Sequence, residues 1–409
     1  MDIRINLNRL KDDLESFSQF GRNPKGGVTR PSFSKADLEA RRWLKGKIEE
    51  AGLDFHQDGA GNIFGRLGRG EGKIVMAGSH IDTVINGGMF DGAVGVLAAL
   101  ECLRTVKEGE IPLTKPLEVV SFTDEEGNLV GDFLGSRAFT GQLNEEELRR
   151  GATQFGPPLK DILAGTEFTI DSILGAHRQA PRIESYLELH IEQDETLDTE
   201  GLPIGIVDQI AGKHYRWCSF IGKTGHAATT PLELRHDAFL GLADFALKAT
   251  RLVAADFYGS MVTIGKVIVL PGSFSNVPGQ ADFSFEFRSL SKATLRDLEK
   301  ALFSLAEDVA STRGLMFASK IVDKTEPVTI PARIFQLLKD ECDKLDYPSL
   351  ELPSGPGHDA QILAGLTDVG MIFIPCVDGI SHSPQEAVRW EDLEKGANLL
   401  LQVLIQLAR

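Results

Sequence analysis

Histidine and acidic residues recur together in short polar segments of this 409-residue chain. His80 and Asp82 occur in GSHIDT, Asp91 in NGGMFDGAVG, His190 in LELHIEQ and His382 in GISHSP. A mixture of imidazole and carboxylate groups suits Zn²⁺, Mn²⁺, Co²⁺ or Ni²⁺, whereas Ca²⁺ takes oxygen ligands. The residue types therefore predict a binding site for one or more of these divalent ions.

A run of three acids, Asp124, Glu125 and Glu126, directly follows the apolar segment PLEVVSFT. Adjacent carboxylates at the end of a buried strand are unfavourable unless a positive charge neutralises them, and a bound metal ion does so directly. His80 and Asp82 stand two residues apart, so the alternation of a strand predicts both side chains on one face. Because a metal-binding histidine commonly donates its other N–H to a carboxylate, we expect Asp82 to accept that hydrogen bond.

The elements that must position these residues are strands with polar residues at their carboxyl ends. Near-continuous apolar runs at 73–79, 116–126 and 185–193 predict buried strands, and residues 92–106 predict a helix. Open α/β sheets bind ligands outside the carboxyl ends of their strands. We therefore expect the histidines and acids to meet at one edge of a sheet.

The pattern changes near residue 212, where strand, helix, two strands, helix and strand follow one another. This is the β-α-β-β-α-β order of a ferredoxin-like unit. Alternating helix and strand patterns resume after residue 330. The sequence thus predicts an α/β fold with two domains. Residues 1–211 and 326–409 form a catalytic domain with a central mixed sheet flanked by helices, and residues 212–325 form an inserted ferredoxin-like α+β domain.

Composition argues against several classes of partner. A net charge of −16 offers no basic surface to nucleic acid or an anionic membrane. The chain contains no apolar stretch of the roughly 18 residues that a membrane span requires, and its start lacks the apolar core of a signal peptide. The four cysteines are scattered without a CxxC pair, which fits a reducing compartment. We expect a cytoplasmic protein, and an anionic substrate would need specific local cations.

A dinucleotide-binding loop is a weaker interpretation of the segment around Asp91. Residues 87–95 lie between a predicted strand and helix, but they do not match GxGxxG, and Asp91 would repel a dinucleotide pyrophosphate. We assign surface or packing roles to four other histidines, His56, His177, His214 and His236.

Taken together, the motifs resemble the M20 family of metallopeptidases and amidohydrolases. The resemblance is strongest to the branch of N-carbamoyl-L-amino acid hydrolases, β-ureidopropionases and allantoate amidohydrolases. It covers nearly the whole chain and rests on motifs that occur in the family's order, namely GSHIDTVINGGMFDGAVGVLAALE, FTDEEG with FLGSRAFTG, ELHIEQ, GHAATTPLELRHDA, SGPGHDAQ and GISHSPQE.

This resemblance implies two divalent metal ions per subunit, Zn²⁺, Mn²⁺, Co²⁺ or Ni²⁺, that share one carboxylate. The first ion would be held by His80, Asp91 and His190. The second would be held by Asp91, Glu126 and His382, with Asp91 bridging the two. Glu125 would then be the general base, and Asp82 and His226 would assist catalysis.

The resemblance also implies residues that contact the substrate. They are Gln193, His226, Asn276, Arg288, Gly357 and His358. The family's asparagine lies three residues before a proline, whereas Asn276 lies two before Pro278, so its contact with substrate is left open. The inserted domain would be the lid and dimerisation domain of a homodimer.

The expected reaction is hydrolysis of the C–N bond of an N-carbamoyl amino acid to free amino acid, ammonia and carbon dioxide. Allantoate and N-acyl amino acids or dipeptides remain as alternative substrates within the family. A non-catalytic binding protein on the same fold is the alternative from another class. Retention of Glu125 and of all five ligands argues against it.

Overall fold

The computed structural model describes residues 3–69, 72–151, 153, 156–179 and 182–409. The chain divides into two compact units. The larger unit comprises Met1–Asp208 and Thr329–Arg409, and the inserted unit comprises Gln209–Val328. Among the described residues, no helix is both long enough and apolar enough to cross a membrane.

The strands, in chain order, are β1 Asp54–Gln57, β2 Ile63–Leu67, β3 Ile74–His80, β4 Leu117–Phe122, β5 Ile183–Ile191, β6 Ile204–Ile210, β7 Gly212–Ile221, β8 Gly225–His226, β9 Met261–Thr263, β10 Val267–Leu270, β11 Asn276–Val277, β12 Gln280–Ser289, β13 Met316–Thr325, β14 Val328–Thr329, β15 Ser349–Ser354 and β16 Asp368–Ile374. The α-helices are α1 Leu7–Phe17, α2 Lys35–Glu50, α3 Ala93–Glu108, α4 Leu134–Thr140, α5 Glu145–Arg150, α6 Leu159–Leu163, α7 Ile170–Gly175, α8 Thr196–Glu200, α9 Ala238–Asp256, α10 Lys292–Arg313, α11 Ala332–Lys344, α12 Asp359–Leu363 and α13 Trp390–Ala408.

The larger unit is built on a mixed sheet with the strand order β1-β2-β4-β3-β5-β16-β6-β14, and β15 pairs with β6. The four central strands β4, β3, β5 and β16 run parallel. They are almost entirely buried, as near-continuous apolar strands covered on both faces must be. Helix α3 packs against β3, β4 and β5, and α13 packs against α3 and β16. The predicted mixed sheet flanked by helices is confirmed.

The chain leaves and re-enters this unit at neighbouring positions. Strand β6 runs up to the point where the inserted unit begins, and β14 follows that unit and lies beside β6 in the sheet. The backbone N–H of Ile330 donates to the carbonyl of Asp208 over 2.9 Å. This hydrogen bond therefore joins the two segments of the larger unit on either side of the inserted unit.

The inserted unit contains a five-stranded antiparallel sheet with the order β10-β12-β7-β13, and β9 pairs with β12. Helices α9 and α10 pack on this sheet. Buried and partly exposed residues alternate along β12, which places Phe283, Phe285 and Phe287 in a phenylalanine-rich core. The order of the long elements is the β-α-β-β-α-β order predicted from sequence, with the second strand divided into β9 and β10.

Two strands do not include all of the polar residues that the sequence analysis placed on them. The strand predicted at 116–126 ends at Phe122, so the three acids occupy a loop. Strand β3 ends at His80, so the period of two does not extend to Asp82. In both places the acidic residues lie in a loop beyond the end of the strand.

Candidate metal centre

The candidate ligands lie at the carboxyl ends of the four central parallel strands. His80 is the last residue of β3, and His190 is the penultimate residue of β5. Glu126 lies four residues beyond the end of β4, and His382 lies in the segment that follows β16. Because the carboxyl ends of parallel strands share one edge, residues more than 300 positions apart in sequence meet there.

His80, Asp91 and His190 form the first group, with one ligand atom from each within 4.8 Å of the others. Asp91 Oδ1 lies 3.7 Å from His80 Nε2 and 3.2 Å from His190 Nε2. His80 Nδ1 lies 3.1 Å from the carbonyl oxygen of Asp82, and His190 Nδ1 lies 2.9 Å from that of Ile191. A carbonyl can only accept, so each Nδ1 carries the hydrogen and each Nε2 keeps a lone pair for a cation.

A glycine at the start of α3 permits this arrangement. Gly92 has φ of +63°, and a Cβ at this position would lie 2.4 Å from the imidazole ring of His80. Its N–H donates to His190 Nε2 over 3.3 Å, which is further support for a lone pair on that atom. A larger residue would strain the backbone and push His80 out of the group.

Asp91, Glu126 and His382 form the second group. His382 Nε2 lies 3.0 Å from Asp91 Oδ2 and 3.6 Å from Glu126 Oε1. The two oxygens of Asp91 thus face different histidines. Glu126 Oε1 is buried and has no hydrogen-bond partner among the described residues, a costly state for a carboxylate oxygen unless a cation satisfies it. The donor set and this oxygen both fit a divalent metal ion.

Asp82 differs in its contacts from the expectation. Its carboxylate lies 3.8 Å from His80 Nδ1, and the backbone carbonyl of Asp82 takes that hydrogen bond instead. The prediction that the Asp82 carboxylate accepts it was wrong, because β3 ends at His80 and the chain turns. The carboxylate instead accepts the backbone N–H groups of Glu125 and Glu126, each over 3.3 Å, and so fixes the acidic loop.

Glu125 belongs to neither ligand group but lies beside both. Its Oε2 is 3.5 Å from His80 Nε2, and the residue is 9% exposed. Burial, followed by the neighbouring charges of Glu126, Asp359 and Asp91, raises the pKa of Glu125 well above its usual range. A raised pKa makes a carboxylate a stronger base, as proton transfer from water requires.

Gln193 contacts the second group directly. Its Nε2 lies 3.0 Å from Asp91 Oδ2 and 3.2 Å from His382 Nε2. His382 Nε2 has one lone pair, so an ion bound there would break its contact with Gln193, whereas Asp91 Oδ2 could keep the hydrogen bond. Asp124, Gln193 and His382 all have positive φ, between 53° and 60°, and such conformations of non-glycine residues concentrate at functional sites.

His358, predicted to bind substrate, is buried next to His190. The two imidazole centroids are 4.6 Å apart, and His358 Nε2 lies 2.9 Å from Ser354 Oγ. Gly357 precedes it, and a Cβ there would lie 2.8 Å from the ring of Phe133. His358 therefore lies beside the first group, and Gly357 packs against Phe133.

Sequence reasoning missed three buried acids around the centre. Glu188 accepts hydrogen bonds from Ser79 Oγ over 2.7 Å and from the N–H of Ala360 over 2.9 Å, and burial raises its pKa. Asp359 is fully buried, and burial raises its pKa as well. Glu386 contacts two of the loops that carry ligands. The available signal was the position of each acid within one to four residues of His190, His358 or His382.

The inserted unit brings two of the predicted substrate residues together. His226 in β8 is the cross-strand partner of Asn276 in β11. The N–H of Ala228 donates to His226 Nδ1 over 3.2 Å. Because Nδ1 accepts, a neutral His226 carries its hydrogen on Nε2, where the exposed ring presents it as a donor.

Arg288 lies near the end of β12, on the side of the strand opposite the buried phenylalanines. Its guanidinium forms an ion pair with Glu286, and its Nη2 lies 3.4 Å from the Tyr215 hydroxyl. A substrate carboxylate that binds Arg288 must therefore replace or join Glu286.

Comparison with known proteins identifies the family of the chain. The sequence profile of Peptidase family M20/M25/M40 matches residues 76–406. An N-carbamoyl-L-amino acid amidohydrolase from Geobacillus stearothermophilus is 36% identical over 406 residues, 98% of each chain. An allantoate amidohydrolase from Bacillus subtilis is 31% identical, also over 98% of each chain. A crystal structure of an amidase of the hydantoinase/carbamoylase family from Burkholderia multivorans has a TM-score of 0.86 at 31% identity, covering 100% of this chain and 99% of that chain.

The match to the family extends from within β3 to within α13 and includes all five candidate ligands. The relatives align along nearly their entire length, so the similarity includes both units. The chain is a hydrolase, and it belongs to Peptidase family M20/M25/M40.

Proposed function

We propose that this hydrolase cleaves the C–N bond of an N-carbamoyl-L-amino acid, releasing the amino acid, ammonia and carbon dioxide. The observation that carries the proposal is the shared carboxylate of Asp91, whose two oxygens face two separate ligand groups beside Glu125. The curated relatives named N-carbamoyl-L-amino acid amidohydrolases support the choice of substrate.

In this proposal two divalent ions, Zn²⁺, Mn²⁺, Co²⁺ or Ni²⁺, bind per subunit. His80, Asp91 and His190 hold one, and Asp91, Glu126 and His382 hold the other. When bound, such ions supply Lewis-acid polarisation of a carbonyl and make a water molecule more acidic.

Glu125 performs the proton transfers. It takes a proton from the attacking water and returns it to the leaving nitrogen, so that the amine departs neutral. Burial raises the pKa of Glu125 above that of an ordinary carboxyl group, which makes its carboxylate a stronger base. Asp82 holds the backbone of Glu125 and so positions this carboxyl group.

Residues of the inserted unit recognise the substrate in the same proposal. His226 donates its Nε2 hydrogen to the oxyanion that forms as water adds to the carbonyl. Arg288 binds the substrate carboxylate through its planar fork of N–H groups. Gln193 and His358 complete the contacts from the larger unit, and Asn276 supports His226 from the adjoining strand.

We further propose that the inserted unit joins two copies of the chain and acts as a lid. Of the sixteen large hydrophobic side chains exposed among the described residues, fourteen lie in this unit. Strand β10 is the last strand of its sheet, and Val267, Ile268 and Leu270 are exposed along it. An exposed apolar edge strand pairs readily with an identical edge, and in a two-fold dimer the two β10 strands would extend one sheet.

The test is a substrate panel with metal-replenished enzyme. It contains N-carbamoyl amino acids, allantoate, N-acetyl amino acids and dipeptides, and ammonia and free amino acid are measured. We expect the highest kcat/KM for an N-carbamoyl-L-amino acid. Preference for allantoate or for an acyl or peptidyl substrate would transfer the assignment to that substrate. Binding without turnover of any member would indicate a non-catalytic binding protein.

A further inference from the structure

Glu386 connects the two loops that carry Asp91 and His382. The residue is 6% exposed. Its Oε1 accepts the backbone N–H groups of Phe90, over 2.8 Å, and of Asp91, over 3.1 Å. Its Oε2 accepts the hydroxyl hydrogen of Ser381, the neighbour of His382, over 3.2 Å. One buried carboxylate thus holds both sides of the second ligand group.

Gly88 makes the space that this carboxylate occupies. A Cβ on Gly88 would lie 2.0 Å from Glu386 Oε1 and 2.1 Å from its Cδ. The φ of Gly88 is not in the left-handed region, so the backbone conformation does not require a glycine. The position needs a glycine because a side chain would occupy the space of the Glu386 carboxylate. The glycine and the acid lie almost 300 residues apart in sequence and fit each other.

We propose that Glu386 is a positioning residue that sets the metal affinity of the group formed by Asp91, Glu126 and His382. This inference rests on the proposed two-metal function. Without the carboxylate, two buried N–H donors and the Ser381 hydroxyl lose their acceptor, and the two loops are free to separate. The ligands would then have to be brought together each time an ion binds, which lowers affinity. Groups that orient metal ligands typically contribute about 10- to 100-fold in affinity.

Four variants separate positioning from a general loss of stability. Glu386→Ala removes the acceptor, whereas Glu386→Gln keeps an oxygen for the two N–H groups and an amide N–H for Ser381. Gly88→Ala displaces the carboxylate without changing it. Asp58→Ala is the matched control, because Asp58 is also 6% exposed and its Oδ1 also accepts two backbone N–H groups, from Ala60 and Asn62, in a loop that holds no ligand.

The measurement uses the full chain, stripped of metal and titrated with Co²⁺ against a chromogenic chelator. Bound metal per subunit and the thermal midpoint are recorded alongside. We expect Glu386→Ala and Gly88→Ala to weaken the binding of one of the two Co²⁺ ions by about 10- to 100-fold. Their combination should weaken it no further, because both changes remove the same contact. Glu386→Gln should recover most of the affinity, and Asp58→Ala should lower the thermal midpoint without changing Co²⁺ affinity.

Wild-type Co²⁺ affinity in Glu386→Ala, or an equal loss in Asp58→Ala, would overturn the role of Glu386. A wild-type chain that binds one ion would overturn the two-metal proposal and this inference together. A wild-type chain that binds two ions but hydrolyses no ureido substrate would overturn the proposed function only. In that case the Co²⁺ affinities would still decide the role of Glu386.

Discussion

At the scale of single residues, Asp91 determines what the centre can do. Its two oxygens face different histidines, and Gln193 contacts the oxygen on the His382 side. A monodentate ligand would serve one group only. The proposed chemistry therefore depends on the orientation of one carboxylate, which the N–H of Asp91 and the glycine after it help to fix.

Glu125→Gln separates proton transfer from metal binding. Gln fills the same volume but cannot accept the proton, so we expect kcat to fall by about 10²- to 10⁴-fold with the bound metal unchanged. Steady-state kinetics and elemental analysis of the same preparation check this. The comparison variant is Glu126→Gln, which should lose metal as well. Retention of more than about a tenth of wild-type kcat in Glu125→Gln would show that another group is the base.

Arg288→Ala tests recognition of a carboxylate. Loss of a charge-assisted pair should raise KM about 10- to 100-fold for an N-carbamoyl amino acid and change it little for the corresponding amide. Arg288→Lys should restore only part of the difference, because an ammonium group lacks the planar fork. Equal losses for the acid and the amide would indicate that Arg288, through Glu286 and Tyr215, supports the fold of β12 instead.

The sequence predicted the residue types of the centre better than their contacts. His80 and Asp82 were both selected, but the hydrogen bond of His80 goes to the carbonyl of Asp82 and not to its carboxylate. Side-chain spacing carries no information on where a strand stops and turns. Glu386 was not selected, because its contacts depend on the folding together of loops remote in sequence.

At the scale of elements, the long strands and helices were predictable because hydrophobic period and length define them. Strands β3 and β5 and helix α3 lie within about two residues of their predicted bounds. The short pair β8–β11 was not predictable, because a strand of two residues is too short to show an alternating pattern. That pair nonetheless positions His226 next to Asn276.

Ile268→Lys tests the edge strand β10. A lysine placed in a strand-to-strand interface would bury a charge. We therefore expect the dissociation constant of the dimer to rise by at least about tenfold. Sedimentation velocity across a concentration series measures it. Leu366→Lys is the control, because Leu366 is an exposed leucine of the larger unit and should leave association unchanged. A wild-type chain that is monomeric and fully active would contradict the dimer.

At the scale of the whole molecule, the charge of −16 acts against an anionic substrate. Raising ionic strength from about 0.01 to 0.15 M shortens the screening length from about 30 to 8 Å. We expect kcat/KM for an N-carbamoyl amino acid to rise about two- to fivefold over that range, because repulsion is screened. The neutral amide should show no such rise. A fall in kcat/KM of the acid with salt would mean that local cations outweigh the net charge.

The hydrogen bond between Ile330 and Asp208 has a consequence for evolution and engineering. Because the chain leaves and returns at the adjacent strands β6 and β14, the inserted unit can be exchanged with cuts in these two strands only. The strands β3, β4, β5 and β16, whose carboxyl ends carry the candidate ligands, stay intact. If the inserted unit recognises the substrate as proposed, substrate choice can change through this unit alone. A chimaera in which residues 209–328 are replaced by the corresponding unit of another family member should fold and acquire that protein's substrate preference.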